Sequence, residues 1–98
     1  MKRIRYHVEA RIDVLGIVEY YEDHEGVELA DEFTSELERF IERVAERPFS
    51  YREVEPGMRR ANLDRFPHHV LFQIIDDETI QVVAVKHDRR HPDFGLDR

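Results

Sequence analysis

The 98-residue chain contains no cysteine. A disulfide framework, a thiolate zinc site and a cysteine nucleophile are therefore excluded, and a cytoplasmic address is the natural expectation. No apolar run approaches the ~20 residues that cross a bilayer, so no membrane segment is expected. The opening stretch MKRIRYHVEARIDV has charge but neither an apolar centre nor a small-residue cleavage site, unlike a secretory signal. No repeat, linker or low-complexity segment divides the chain, which predicts one domain over residues 1–98. Metal and cofactor sites are not expected. His68 and His69 are neighbours on a predicted strand and so face opposite ways, and neither that pair nor His87 with His91 has an evident third ligand.

What is present is charge on a modest apolar core. Hydrophobic residues make up 41% of the chain and charged residues 38%, the balance of a globular domain with a heavily charged surface. The net charge of −7 is unevenly spread. Residues 1–47 hold seven Lys/Arg against thirteen Asp/Glu, and residues 48–98 hold eight against nine. Phosphate affinity comes largely from Lys and Arg displacing counterions, so such a chain is a poor general nucleic-acid binder. A local basic cluster, Lys86-His87-Asp88-Arg89-Arg90-His91, nonetheless ends the last apolar run.

Periodicity gives the order of elements. In KRIRYHVEA, Ile4, Tyr6 and Val8 alternate with Arg3, Arg5 and His7, which predicts a half-buried first strand. From about Ala10 the period becomes helical, with Ile12, Leu15, Val18 and Tyr21 three apart. Gly26 is a stop or turn residue. A second helix follows from the stripe Leu29, Ala30, Phe33, Leu37, Phe40, Ile41 and Val44, and Pro48 ends it. The two helices should pack as an antiparallel hairpin. After a Pro-Gly turn come strands near Arg59–Leu63, in HHVLFQII and in TIQVVAVKH, with the DDE hairpin between the last two. The near-continuous apolar run Val82–Val85 marks an interior strand. The expected fold is α+β, in the order β-α-α-β-β-β: a helical hairpin on a small, mostly antiparallel sheet.

Four phrases in this order resemble the RelE/ParE superfamily of type II toxin–antitoxin toxins, closest to its ParE-like, plasmid-stabilisation branch. They are ARIDVLGIVEYYE, GVELADEFTSELERFIERVAERP, PGMRRANLDRFPHHVLFQI and VVAVKHDRRHPDFGLDR, and they cover nearly the whole chain. This sequence departs from the usual pattern with His68 and Phe72 at positions where tyrosine is common, and in its acidic charge.

The resemblance implies two activities. ParE-type relatives act on an essential protein, DNA gyrase. RelE-type relatives cleave mRNA on the ribosome, with the ribose 2′-hydroxyl as nucleophile. The second chemistry needs a base, an acid and cations for the developing phosphate charge. Carried onto this chain, it places Arg60 and His87 in catalytic positions, with Arg65, Lys86, Arg89 and Arg90 as a phosphate or partner patch. It also requires Arg60 and His87 to converge on one open, positive face. A bland account stands beside it: His87 as a half-buried strand-end histidine bonded to backbone, and the arginines as ion pairs that pin the tail. A toxin fold without toxicity is a third possibility. In each case the resemblance implies a cognate antitoxin segment docked in a groove between the helical hairpin and the sheet, adding a strand or laying down an apolar helix face. An acidic toxin suggests an antitoxin arm rich in Lys and Arg.

Overall fold

The computed structural model describes residues 2–89. Strand β1 (Arg3–Tyr6) leads into helix α1 (Val8–His24) and helix α2 (Val27–Glu46). A single 3-10 turn at Pro48–Ser50 precedes strands β2 (Glu53–Glu55), β3 (Met58–Asn62), β4 (His68–Asp76) and β5 (Thr79–His87). The five strands form one sheet in the order β1-β5-β4-β3-β2. The last four are an antiparallel meander, and β1 joins β5 in parallel. The expected helical hairpin and interior β5 are both present, and a three-residue β2 is added at the far edge.

The first strand is shorter than its alternation suggests. Val8 belongs to α1, and its side chain is exposed. The reason is local: the His7 ring nitrogen Nδ1 accepts the Glu9 N–H at 3.1 Å and so caps the helix two residues early. At the other end, Gly26 closes one helix and opens the next. Its N–H donates to the Tyr21 carbonyl at 2.8 Å, and its φ of +107° lies where side chains are disfavoured. The expected DDE hairpin is a two-residue loop, Asp77–Glu78, tightened by the Glu78 N–H donating to Asp76 Oδ1 at 2.9 Å. That bond is the main reason the Asp76 carboxyl titrates below its ordinary value.

Helix α2 has the cleaner stripe, and its buried residues Phe33, Leu37, Phe40, Ile41 and Val44 meet Val70, Phe72, Ile80, Val82 and Val85 of the sheet. Each large side chain removed from water contributes roughly 1.5–3 kcal/mol before entropy is counted. Alternation then sends the residues between them to the other face. Arg60, Asn62, His69, Leu71, Gln73 and Gln81 lie on the side away from the helices.

One consequence of the short β1 shapes the molecule. Tyr6 pairs with Val82, so β1 runs out halfway along β5. The outer edge of β5 beyond that point has no strand beside it. Helix α1 lies there instead, and Asp13 Oδ2 accepts the Val85 N–H at 3.1 Å, doing the work of a strand carbonyl.

Candidate functional site

The basic cluster at the end of β5 is divided between the two faces of the sheet. Register pairs His87 with His68, and their rings are 5.0 Å apart, edge to face. The His68 ring also sits 5.1 Å from Phe33 and 6.1 Å from Tyr21, so this pair points toward the helices. His87 Nδ1 accepts the backbone N–H of Arg89 at 3.0 Å, which leaves its proton on Nε2. Arg60 pairs with Leu71, one position on from His69, and so occupies the opposite face. The structure therefore does not bring Arg60 and His87 together.

On that open face Arg60 belongs to a different group. Its Nε donates to Asn62 Oδ1 at 2.9 Å, and its Nη2 is 3.5 Å from Asp88 Oδ1. The same carboxylate oxygen is 2.7 Å from His69 Nδ1. The Asp88 backbone N–H donates to the Pro67 carbonyl at 2.8 Å, fixing the turn that delivers the carboxylate. Burial pushes the His69 pKa down, against the opposing pull of its bond to Asp88. A neutral His69 donating Nδ1–H to Asp88 is the arrangement that follows at neutral pH.

On the helix side the end of β5 meets α1 in a cleft of about 510 Å³. Its walls include Ile12, Gly16, Ile17 and Tyr20 from α1, with His68, His87 and Arg89 opposite. Lys86 closes one end. Its Nζ reaches round the uncovered edge of β5 and lies 3.0 Å from both Asp13 oxygens. Both side chains are largely buried, at 15% and 8% exposed, so this is an internal ion pair. Burial also raises the Tyr21 phenol, which stays protonated across the neutral range.

The remaining predicted positions lie elsewhere. Arg65 reaches back to α2, with Nη2 2.5 Å from Glu32 and Nη1 3.2 Å from Glu36, and those bonds, Glu32 first, raise its pKa further. Its guanidinium also lies over the Phe66 ring. Glu53 is an exposed strand residue paired with Arg59 at 3.2 Å. Arg90, His91 and the rest of the tail lie outside the described residues. Among the described residues no three His, Cys, Asp or Glu side chains gather into a possible metal site.

The family model for the ParE toxin of the type II toxin–antitoxin system parDE matches residues 4–92. Toxin ParE1 of Mycobacterium tuberculosis, in strains CDC 1551 / Oshkosh and ATCC 25618 / H37Rv, is 34% identical over 77 residues, 76% of each chain. The chain belongs to the ParE toxin family. Solved structures agree on the fold. A chain of the chromosomal ParDE system from P. aeruginosa superimposes with a TM-score of 0.76 at 19% identity, covering 89% of this chain and 96% of that one. A chain of the intact E. coli RelBE toxin–antitoxin complex gives 0.60 at 15% identity, covering 92% and 100%. The isolated E. coli RelE toxin gives 0.61 at 14%, covering 99% and 95%.

Within this ParE-family chain, three residues that shape the site carry no obvious motif. Asp13 is the one charged residue in the apolar run IDVLGIV, and that isolation is its only signal. His69 is half of a His-His dipeptide, and Asp88 is the single acid inside the cationic cluster.

Proposed function

We propose that this ParE-family chain is the toxin of a type II toxin–antitoxin module and acts by binding an essential bacterial protein, with DNA gyrase as the target. One observation carries the choice over ribosome-dependent mRNA cleavage. Arg60 and His87 sit on opposite faces of the sheet, and Arg60 is held by Asp88. A phosphate clamp needs cations that converge and are available to the ligand. Here Lys86 is engaged by Asp13, Arg60 by Asp88 and Arg65 by Glu32 and Glu36. The net charge of −7 adds a field that opposes RNA.

The same reading gives the chain a cognate antitoxin as its second partner. The cleft between α1 and the end of β5 is its proposed seat, because it combines apolar walls with an edge that β1 leaves uncovered. Action in the cytoplasm and a part in plasmid stabilisation belong to this proposal too. Among the described residues no helix is long and apolar enough to cross a membrane.

The test is a supercoiling assay with purified gyrase and the purified chain, with and without the protein encoded beside it. The reading expects inhibition or trapped cleavage complexes, relieved by the neighbouring protein. Full gyrase activity at saturating toxin would remove gyrase as the target.

A further inference from the structure

Carboxylates answer most of the cations in the strand-end patch: Asp88 holds Arg60, Glu32 and Glu36 hold Arg65, and Asp13 holds Lys86. Arg89 differs. It has no such partner among the described residues, and it lines the cleft between α1 and the end of β5. His87 stands beside it in the lining. Its Nδ1 accepts the Arg89 N–H, so the ring keeps an Nε2–H to donate. The carboxylate in the lining, Asp13, is already taken by the Val85 N–H and Lys86 Nζ. The cleft therefore offers donors and a positive charge, and a group that fits it brings an acceptor. A carboxylate fits best, because its charge also meets Arg89.

The wider surroundings limit how much negative charge can enter. Glu9, Glu19, Glu22 and Asp23 are exposed on α1 outside the lining, against Arg11 as the helix's one Lys or Arg. Asp88 adjoins Arg89 but is held on the opposite face by His69 and Arg60. These charges oppose a chain of phosphates or a strongly acidic segment. They leave a place for one carboxylate at the Arg89 corner.

The apolar part of the cleft has a gap. Ile12, Gly16 and Tyr20 follow one another four apart and so form one ridge of α1 in the cleft wall. Gly16 interrupts it. Its φ is not positive, and an added Cβ would meet nothing within 4 Å, so no turn or close approach requires glycine there. Glycine weakens a helix interior, and what it leaves here is an opening between Ile12 and Tyr20, with Ile17 and Val85 also in the lining. A buried apolar anchor ringed by polar contacts is how interface energy is usually concentrated.

We propose that the cleft recognises an apolar residue and a carboxylate carried close together on one antitoxin segment. The apolar side chain, of leucine or phenylalanine size, fills the opening at Gly16, and the carboxylate meets Arg89 and the His87 Nε2–H. This rests on the antitoxin seat given above and adds the chemistry of its anchor. Lys and Arg residues of the segment then belong outside the cleft, against the acidic part of α1.

Calorimetric titration of the purified chain with the protein encoded beside it tests this. Gly16→Leu should weaken binding about a hundredfold while raising the melting temperature of the free chain, since leucine is the better helix former. Misfolding cannot produce both effects. Arg89→Glu should weaken binding about tenfold or more, and Arg89→Lys much less. Each Asp and Glu of the partner is then changed to Arg in turn, and one of these variants should restore binding to the Arg89→Glu chain. Wild-type affinity in Gly16→Leu overturns the proposal by placing the partner elsewhere. Weak binding in Gly16→Leu with full affinity in Arg89→Glu, or no rescue by any partner variant, keeps the seat and overturns the carboxylate. A wild-type chain that does not bind that protein removes the antitoxin reading itself, and the proposal with it.

Discussion

Asp13 holds two structural roles at once. It completes the hydrogen bonding of β5 where β1 has run out, and it neutralises Lys86 in a largely buried position. Removing one partner of such a pair leaves a buried charge and a backbone donor uncompensated. Asp13→Ala is therefore expected to cost about 3 kcal/mol in urea unfolding, and Asp13→Asn, which keeps an acceptor for Val85, distinctly less. His69 makes a second prediction. Its folded pKa lies below its ordinary value of 6.5, chiefly through burial. The unfolded chain therefore takes up a proton first as pH falls. This histidine's contribution is level above its ordinary value, and stability drains away as pH drops below it toward the folded pKa. His69→Gln should flatten that part of the stability profile. An unchanged slope in thermal melts between pH 7 and acid would contradict the assignment. Neither residue was legible in the sequence as a site residue. What makes each matter is a neighbour far along the chain, Val85 and Lys86 for one and Asp88 for the other.

At the scale of elements the sequence says much more. The stripe of α2 is local and periodic, and the structure buries Ala30, Phe33, Leu37, Phe40, Ile41 and Val44 from it. The stripe of α1 is blurred because the helix is apolar on both sides: Val14, Ile17 and Val18 pack on the core while Val8, Ile12 and Leu15 do not. The β1–α1 boundary departs from the alternation for a related reason. Val8 fits a two-residue alternation equally well, and the His7 cap that decides the matter is a side-chain geometry. The short β2 has only exposed residues, so no alternation announces it. Gly26 offers an element-scale test, since the turn between the helices depends on its positive φ. Gly26→Ala should lower stability by about 1–2 kcal/mol, although a Cβ there would have open space. A neutral result in chemical denaturation would show that the turn relaxes freely.

At the scale of the whole molecule, the fold follows from the order of elements and the function does not. The fold recurs in the ParDE and RelBE chains it superimposes on, at identities that speak only for shape. Family membership makes the chain a type II toxin–antitoxin toxin and leaves the target to be argued. The choice of target rests on which face each strand-end side chain occupies. That depends on sheet register, because a shift of one residue would carry His87 to the face of Arg60. The cationic cluster also looked available in the sequence. In the folded chain Lys86 and Arg60 are answered by Asp13 and Asp88, carboxylates contributed by α1 and by the turn after β5.

The central claim is that this ParE-family chain strikes a protein and not mRNA. The most direct test is induction of the chain alone in bacteria, with simultaneous mapping of DNA breaks and mRNA 5′ ends. The account predicts growth arrest with DNA breaks and an SOS response while transcripts stay whole, and arrest unaltered in a folded His87→Ala variant. New mRNA ends at ribosome-occupied codons, lost on His87→Ala or Arg60→Ala, would contradict it.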